Sequence, residues 1–237
     1  MDLRDKAAMV TGASKGIGRQ TALDLAKAGA DVAISARSKD LLDSLAAEIE
    51  KAGRKVLVFA GDMSKEEEIK AFIQQTVDTF GKINVLINNA GLGHFHPVAE
   101  MSTQHWDEMF NLNVRGLFIT TREALPFLRQ AGEAVIVNVV SLAGKNAFVN
   151  GGGYAASKHA VLGFSRCLML EERKNNIRVL AICPGSVTTN FSDHQPGLLA
   201  PEKKALKPMD ISETIIHAVR MPQRAMISEI DIRPSNP

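Results

Sequence analysis

Short apolar, β-branched runs alternate with longer stretches of helical spacing along nearly the whole chain. This alternation restricts the fold more than any other feature. The runs lie at 7–10, 31–35, 55–60, 83–87, 135–140, 178–182 and 226–232. Helical spacing covers 17–28, 41–52, 69–80, a long stretch at 106–129, then 154–173 and a shorter one at 211–219. Strands separated by helices of this length pair through right-handed crossovers in a parallel sheet. Several of the runs are apolar throughout, as a sheet covered on both faces demands. The sequence therefore predicts an α/β, Rossmann-type doubly wound fold, with a seven-stranded parallel sheet and helices on both faces. Seven strands account for all 237 residues, so one domain spanning 1–237 is expected.

One segment breaks the rhythm. Residues 186–209 carry prolines and little periodicity, and loops of that length in a compact domain usually serve as lids or binding loops. A substrate lid over the carboxyl edge of the sheet is expected there, where open α/β folds place their ligands. Charge narrows the partners. The 28 basic and 26 acidic residues are interspersed and leave a net charge of +2, which favours neither nucleic acid nor an anionic membrane. No apolar stretch approaches a membrane span, and the opening MDLRDKAAMVTG does not read as a signal peptide. Cys167 and Cys183 form no CxxC pair, so a reduced, cytoplasmic protein is expected.

The first strand runs into TGASKGIG at 11–18, which opens a helix. Glycines in such a turn let the backbone approach a pyrophosphate, and the helix start offers free N–H groups and partial positive charge. The spacing G-x3-G-x-G differs from the commonest dinucleotide fingerprint, and a glycine-rich turn alone is often only a turn. The second strand ends ISARS, putting Ala36 and Arg37 where ribose specificity is decided. An acid there would bind a free 2′-hydroxyl, whereas Arg accommodates a 2′-phosphate. Asp40 lies further on, and Lys15 adds a second cation in the turn. Either cation alone could be a solvated surface charge. Their joint placement points to NADP(H).

The motifs TGASKGIG, NNAG at 88–91, FNLNVRG at 110–116, Ser141, YAASK at 154–158 and PGSVTT at 184–189 occur in this order. The ordered set resembles the classical short-chain dehydrogenase/reductase family across nearly the entire chain. The resemblance implies hydride transfer between a nicotinamide and a carbonyl or secondary alcohol. Tyr154 would exchange the proton, Ser141 would hold the substrate oxygen, Lys158 would lower the phenol pKa and bind the ribose, and Asn113 would hold a water leading from Lys158. Tyr154 and Lys158, four apart, share one helix face, and an ammonium beside a phenol favours the phenolate. A depressed Tyr154 pKa is expected on that ground.

By the same resemblance Gly12, Ser14, Lys15, Gly16, Ile17 and Gly18 cradle the cofactor, and Asp62 and Met63 meet its adenine. Asn89, Ala90 and Gly91 line it, Pro184, Gly185, Val187 and Thr189 hold its nicotinamide end, and Asn88 ties strands together. Within the family the chain is similar to 3-oxoacyl carrier-protein reductases. Its ending SEIDIRPSNP departs from that group toward enzymes of small hydroxy acids or ketones. A homodimer or homotetramer is expected by resemblance. The alternative is a non-enzymatic NADP(H)-binding, redox-sensing protein on the same fold. His94 and His96 lack a third ligand at recognisable spacing, so no metal is expected and a pocket or plain loop role remains open. Trp106 fits a helix packing face, Cys183 fits a small core residue, and Arg173–Lys174 suits a helix end.

Overall fold

The computed structural model describes residues 1–189, 191 and 205–235. Seven parallel strands form one sheet in the order β3-β2-β1-β4-β5-β6-β7. They are β1 (Ala7–Thr11), β2 (Asp31–Ala36), β3 (Val56–Ala60), β4 (Val85–Asn88), β5 (Ala134–Val139), β6 (Ile177–Pro184) and β7 (Glu229–Ile232). The helices are α1 (Gly16–Lys27), α2 (Lys39–Lys51), α3 (Glu66–Phe80), α4 (Thr103–Phe110), α5 (Leu117–Gln130), α6 (Gly152–Glu172) and α7 (Pro208–Arg220).

The uniformly apolar strands follow from burial on both faces. Ala8 and Val10 of β1, with Val135 and Val137 of β5, face a core shared with Leu25 of α1, Leu42 of α2 and Ile215 of α7. The intervening Met9 and Ile136 face the opposite core, with Phe72 of α3, Ile119 of α5 and Leu168 of α6. Ser212 Oγ donates to Asp24 Oδ2 at 2.7 Å and ties α7 to α1. On the other face Asn88 Nδ2 donates to Thr121 Oγ1 at 3.0 Å and Asn138 Oδ1 at 2.9 Å, and Asn138 Nδ2 donates to Ser165 Oγ at 2.8 Å. Asn88 thus joins β4 to β5, and the chain of amides and hydroxyls anchors α5 and α6 on the sheet.

Two elements differ from the periodicity reading. The stretch 106–129 is not one regular helix. A π-helical turn, Asn111–Gly116, separates α4 from α5, and within it Gly116 passes the Met63 carbonyl at a distance no side chain allows. The last strand is shorter than the run 226–232, since pairing with β6 begins at Glu229 opposite Ala181. Most of the expected lid lies outside the described residues. Its described ends carry a bridge between Val187 and Leu206. No helix among the described residues is long and apolar enough to cross a membrane.

Candidate active site

All seven strands run in one direction, so the segments that follow them gather on one edge of the sheet. A cavity of about 690 Å³ opens there. At one end lies the turn between β1 and α1. Gly12 and Gly16 adopt φ of +66° and +55°, a region that side chains disfavour. Asn89 Nδ2 donates to Thr11 O and Gly12 O, each at 3.0 Å, and so clamps the turn to the end of β4. A Cβ on Gly18 would come within 2.3 Å of that same amide nitrogen. Gly18 therefore serves close packing behind the turn. No side chain caps α1, and no acid stands in its first turn, which leaves its partial positive charge facing the cavity.

Ser14, Lys15 and Ile17 line this end together with Arg37 from the β2 end and Asp62 and Met63 from the β3 end. Burial opposes ionisation of Asp62. Hydrogen bonds from the Ser64 N–H and hydroxyl, at 2.9 and 2.8 Å, and the charge of Arg37 outweigh it and hold the carboxyl below its usual range.

The other end is built by β5 and α6. Ser141 follows β5 and its Oγ accepts from Ala143 N at 3.1 Å. Tyr154 and Lys158, one turn apart on α6, are both buried and both line the cavity with Ser141. Lys158 Nζ donates to Val139 O at 3.0 Å and lies 5.8 Å from the centre of the Tyr154 ring. Asn113, in the π-helical turn, exchanges hydrogen bonds with the Leu92 backbone and donates to Ser157 Oγ at 3.0 Å. Ser157 Oγ in turn donates to Tyr154 O at 2.8 Å. Asn113 thus reaches the α6 pair through Ser157.

The expected depression of the Tyr154 pKa is not what this arrangement produces. Burial pushes the phenol up to about 12, against a smaller opposing pull from the Ser141 hydroxyl. Burial likewise pushes the Lys158 ammonium down to about 8. Desolvation is the leading cause of both shifts, and the ammonium's hydrogen bond goes to the Val139 carbonyl.

Gly12, Gly16, Asn89, Ala90, Gly91, Pro184, Val187 and Thr189 also reach the cavity wall. Gly18, Asn113 and Gly185 do not. Gly185 donates its N–H to Ile232 O at 2.8 Å and extends the pairing of β6 with β7, which turns it away. Leu92, Glu108 and Phe191 line the cavity without having been singled out from the sequence. For Leu92 and Phe191 a signal existed, since they directly follow Gly91 and lie two residues past Thr189. Glu108 carried none. His94 Nε2 and Glu108 Oε2 lie 2.8 Å apart, and the His94, His105 and His96 rings stack at 4.0 and 5.2 Å. Among the described residues no cluster is suited to a metal ion. Trp106 is only partly packed, stacked on Phe110 at 4.6 Å.

Residues 6–196 match the profile of the short chain dehydrogenase family. An uncharacterized oxidoreductase of Staphylococcus aureus is 32% identical over 233 residues, covering 98% of each chain. An alcohol dehydrogenase of the archaeon Thermococcus sibiricus, solved with 5-hydroxy-NADP, superposes with a TM-score of 0.90 at 32% identity over 97% of each chain. A 7α-hydroxysteroid dehydrogenase solved with NADH and 7-oxo glycochenodeoxycholic acid gives 0.90 at 27% identity. That match covers 99% of this chain and 96% of the other.

Proposed function

The chain belongs to the short chain dehydrogenase family, and on that premise we propose that it is an NADP(H)-dependent oxidoreductase interconverting a carbonyl and a secondary alcohol. One observation carries the reading. A hydroxyl, a phenol and an ammonium, from Ser141, Tyr154 and Lys158, meet at one end of a cavity whose other end is a glycine-rich turn flanked by cations. A module built only to bind a dinucleotide has no use for the buried phenol and ammonium, so the binding-only alternative is not favoured.

The residues present fit a dinucleotide. The uncapped start of α1 and the tight, positive-φ turn made by Gly12 and Gly16 suit a pyrophosphate, and Lys15 with Arg37 suits a 2′-phosphate. The Thermococcus neighbour was solved with an NADP derivative, which supports that choice. When bound, the nicotinamide supplies or accepts the hydride at the carbonyl carbon. The chain's own residues handle the oxygen. Ser141 Oγ accepts from Ala143 and pairs with the Tyr154 phenol, so that a substrate oxygen between the two hydroxyls would receive a hydrogen bond from each. With its pKa near 12 the Tyr154 phenol is protonated at neutral pH and able to donate as the alcohol forms. Lys158, fixed on Val139 O, supplies positive potential beneath the ring as the phenolate develops.

Initial rates with NADPH and NADH against simple ketones test this. NADPH should give at least about 10-fold higher kcat/KM, and Arg37→Ala should narrow the gap. Tyr154→Phe should lower kcat by at least about 100-fold while NADPH still binds. Full turnover in Tyr154→Phe would overturn the chemistry, and equal use of the two cofactors would overturn the NADP(H) assignment.

A further inference from the structure

The walls around Tyr154 are hydrocarbon. Leu92 and Phe191 line the cavity beside Ser141 and Tyr154. The Phe191 ring lies 5.6 Å from the Tyr154 ring, and Phe95 stands edge-on to it at 5.3 Å, with Phe148 a further 6.0 Å from Phe95. Met109, Ala143 and Met101 complete the cluster.

Glycines admit these side chains. A Cβ on Gly93 would lie 2.7 Å from Phe95 Cζ and 3.1 Å from Phe191 Cε1. One on Gly151 would lie 2.5 Å from the Phe148 ring, and one on Gly153 would lie 2.4 Å from Met109 Cε. The glycine run before Tyr154 is therefore the bed on which the apolar wall rests, beyond its part in starting α6.

Charge divides along the cavity. Lys15, Arg37 and Asp62 stand at the β1–β3 end, and Lys158 is held on Val139 O. Among the described residues the remaining charged group on the wall is Glu108, which meets His94 on the segment joining Leu92 to Phe95. Hydrogen bonds from Gln104 and His94 keep its carboxyl below the usual range, so it is an anion at neutral pH. A carboxylate on the substrate would share the cavity with this like charge and with the hydrocarbon wall.

We propose that the substrate is a neutral ketone, or the matching secondary alcohol, bearing an alkyl or aryl group held by Phe191 and Leu92, and that Glu108 turns away 2-oxo and 2-hydroxy acids. This rests on the oxidoreductase reading above and narrows its substrate.

Two matched pairs test it, hexan-2-one against 2-oxohexanoate and acetophenone against phenylglyoxylate, each differing by a methyl or a carboxylate on the carbonyl. The oxo acids are intrinsically the more electrophilic, so a preference for the ketones has to come from the protein. With NADPH the ketones should show at least about 10-fold higher kcat/KM. Glu108→Gln should shrink that gap by raising the oxo-acid values. Phe191→Ala should raise ketone KM about 10-fold with kcat nearly unchanged. Calorimetric binding to the NADP⁺ complex, where a ketone cannot turn over, should show the same order. Oxo acids reduced as well as ketones would overturn the substrate class while leaving the oxidoreductase reading intact. An unchanged ketone KM in Phe191→Ala would also overturn it. If none of the four were reduced yet the ketones bound more tightly, the pocket assignment would stand and the oxidoreductase reading would fall.

Discussion

Burial sets the proton state of Tyr154 and Lys158 on α6, and it shifts their pKa values in opposite directions. Tyr154 is the only tyrosine, so its ultraviolet absorbance reports this phenol alone. In the free protein the phenolate band should be absent through pH 10 and rise only toward about pH 12. Phenolate forming below pH 10 would show that the ammonium outweighs burial. For Lys158 the folded pKa, about 8, lies below the unfolded 10.5. Folding therefore loses stability as pH falls from 10.5 to about 8, and the deficit persists below that. It is worth on the order of 3 kcal/mol. Lys158→Met should consequently raise the melting temperature at pH 7 while abolishing most turnover, with the gain fading toward pH 10. A variant less stable than wild type at pH 7 would show that the bond to Val139 O outweighs the buried charge. The roles of Ser141, Tyr154 and Lys158 were implied by the family resemblance, to which helix spacing added that Tyr154 and Lys158 share a face. The pKa could not be read that way, since it depends on enclosure by Phe95 and Phe191 from distant segments.

At the level of elements, the π-helical turn shows what periodicity misses. The apolar positions from 106 to 129 keep a helical rhythm on both sides of Asn111–Gly116, so nothing in the spacing marks the extra width. The turn also holds a tight contact. A Cβ on Gly116 would lie 2.1 Å from Met63 O, backbone that cannot swing aside. Gly116→Ala should cost roughly 2–4 kcal/mol in urea unfolding. It should also weaken NADPH binding, because Met63 and its neighbour Asp62 line the cavity. Unchanged stability and affinity would mean that this turn is free to shift. The same widened turn carries Asn113, whose bonds to Leu92 and Ser157 connect the segment after β4 to α6. Strand pairing was easier to read. Strands buried on both faces announce themselves as unbroken apolar runs, and the partly buried edge strand β7 came out shortest against its run.

Across the whole molecule, the nucleotide end was legible because each of its motifs directly follows a strand, and a parallel sheet delivers every such segment to one edge. The substrate end was not. Leu92, Phe95, Phe148 and Phe191 share no spacing, and they meet only through the path of the chain over the sheet. The strand order also carries a consequence for synthesis. β1 pairs with β2, and β2 with β3, as soon as each crossover is made, whereas the second edge of β1 waits for β4. The Ala7 N–H reaches the Asn84 side chain across 77 positions. A nascent chain that has released β4 from the ribosome already contains β1 with both neighbours and the Asn89 clamp on the glycine turn. Ser141, Tyr154 and Lys158 have not yet been translated at that stage. The order of translation thus delivers the glycine turn and its Asn89 clamp before Ser141, Tyr154, Lys158 and the segment after β6 exist, and a dinucleotide captured early would stabilise the half-made sheet onto which β5, β6 and β7 must dock.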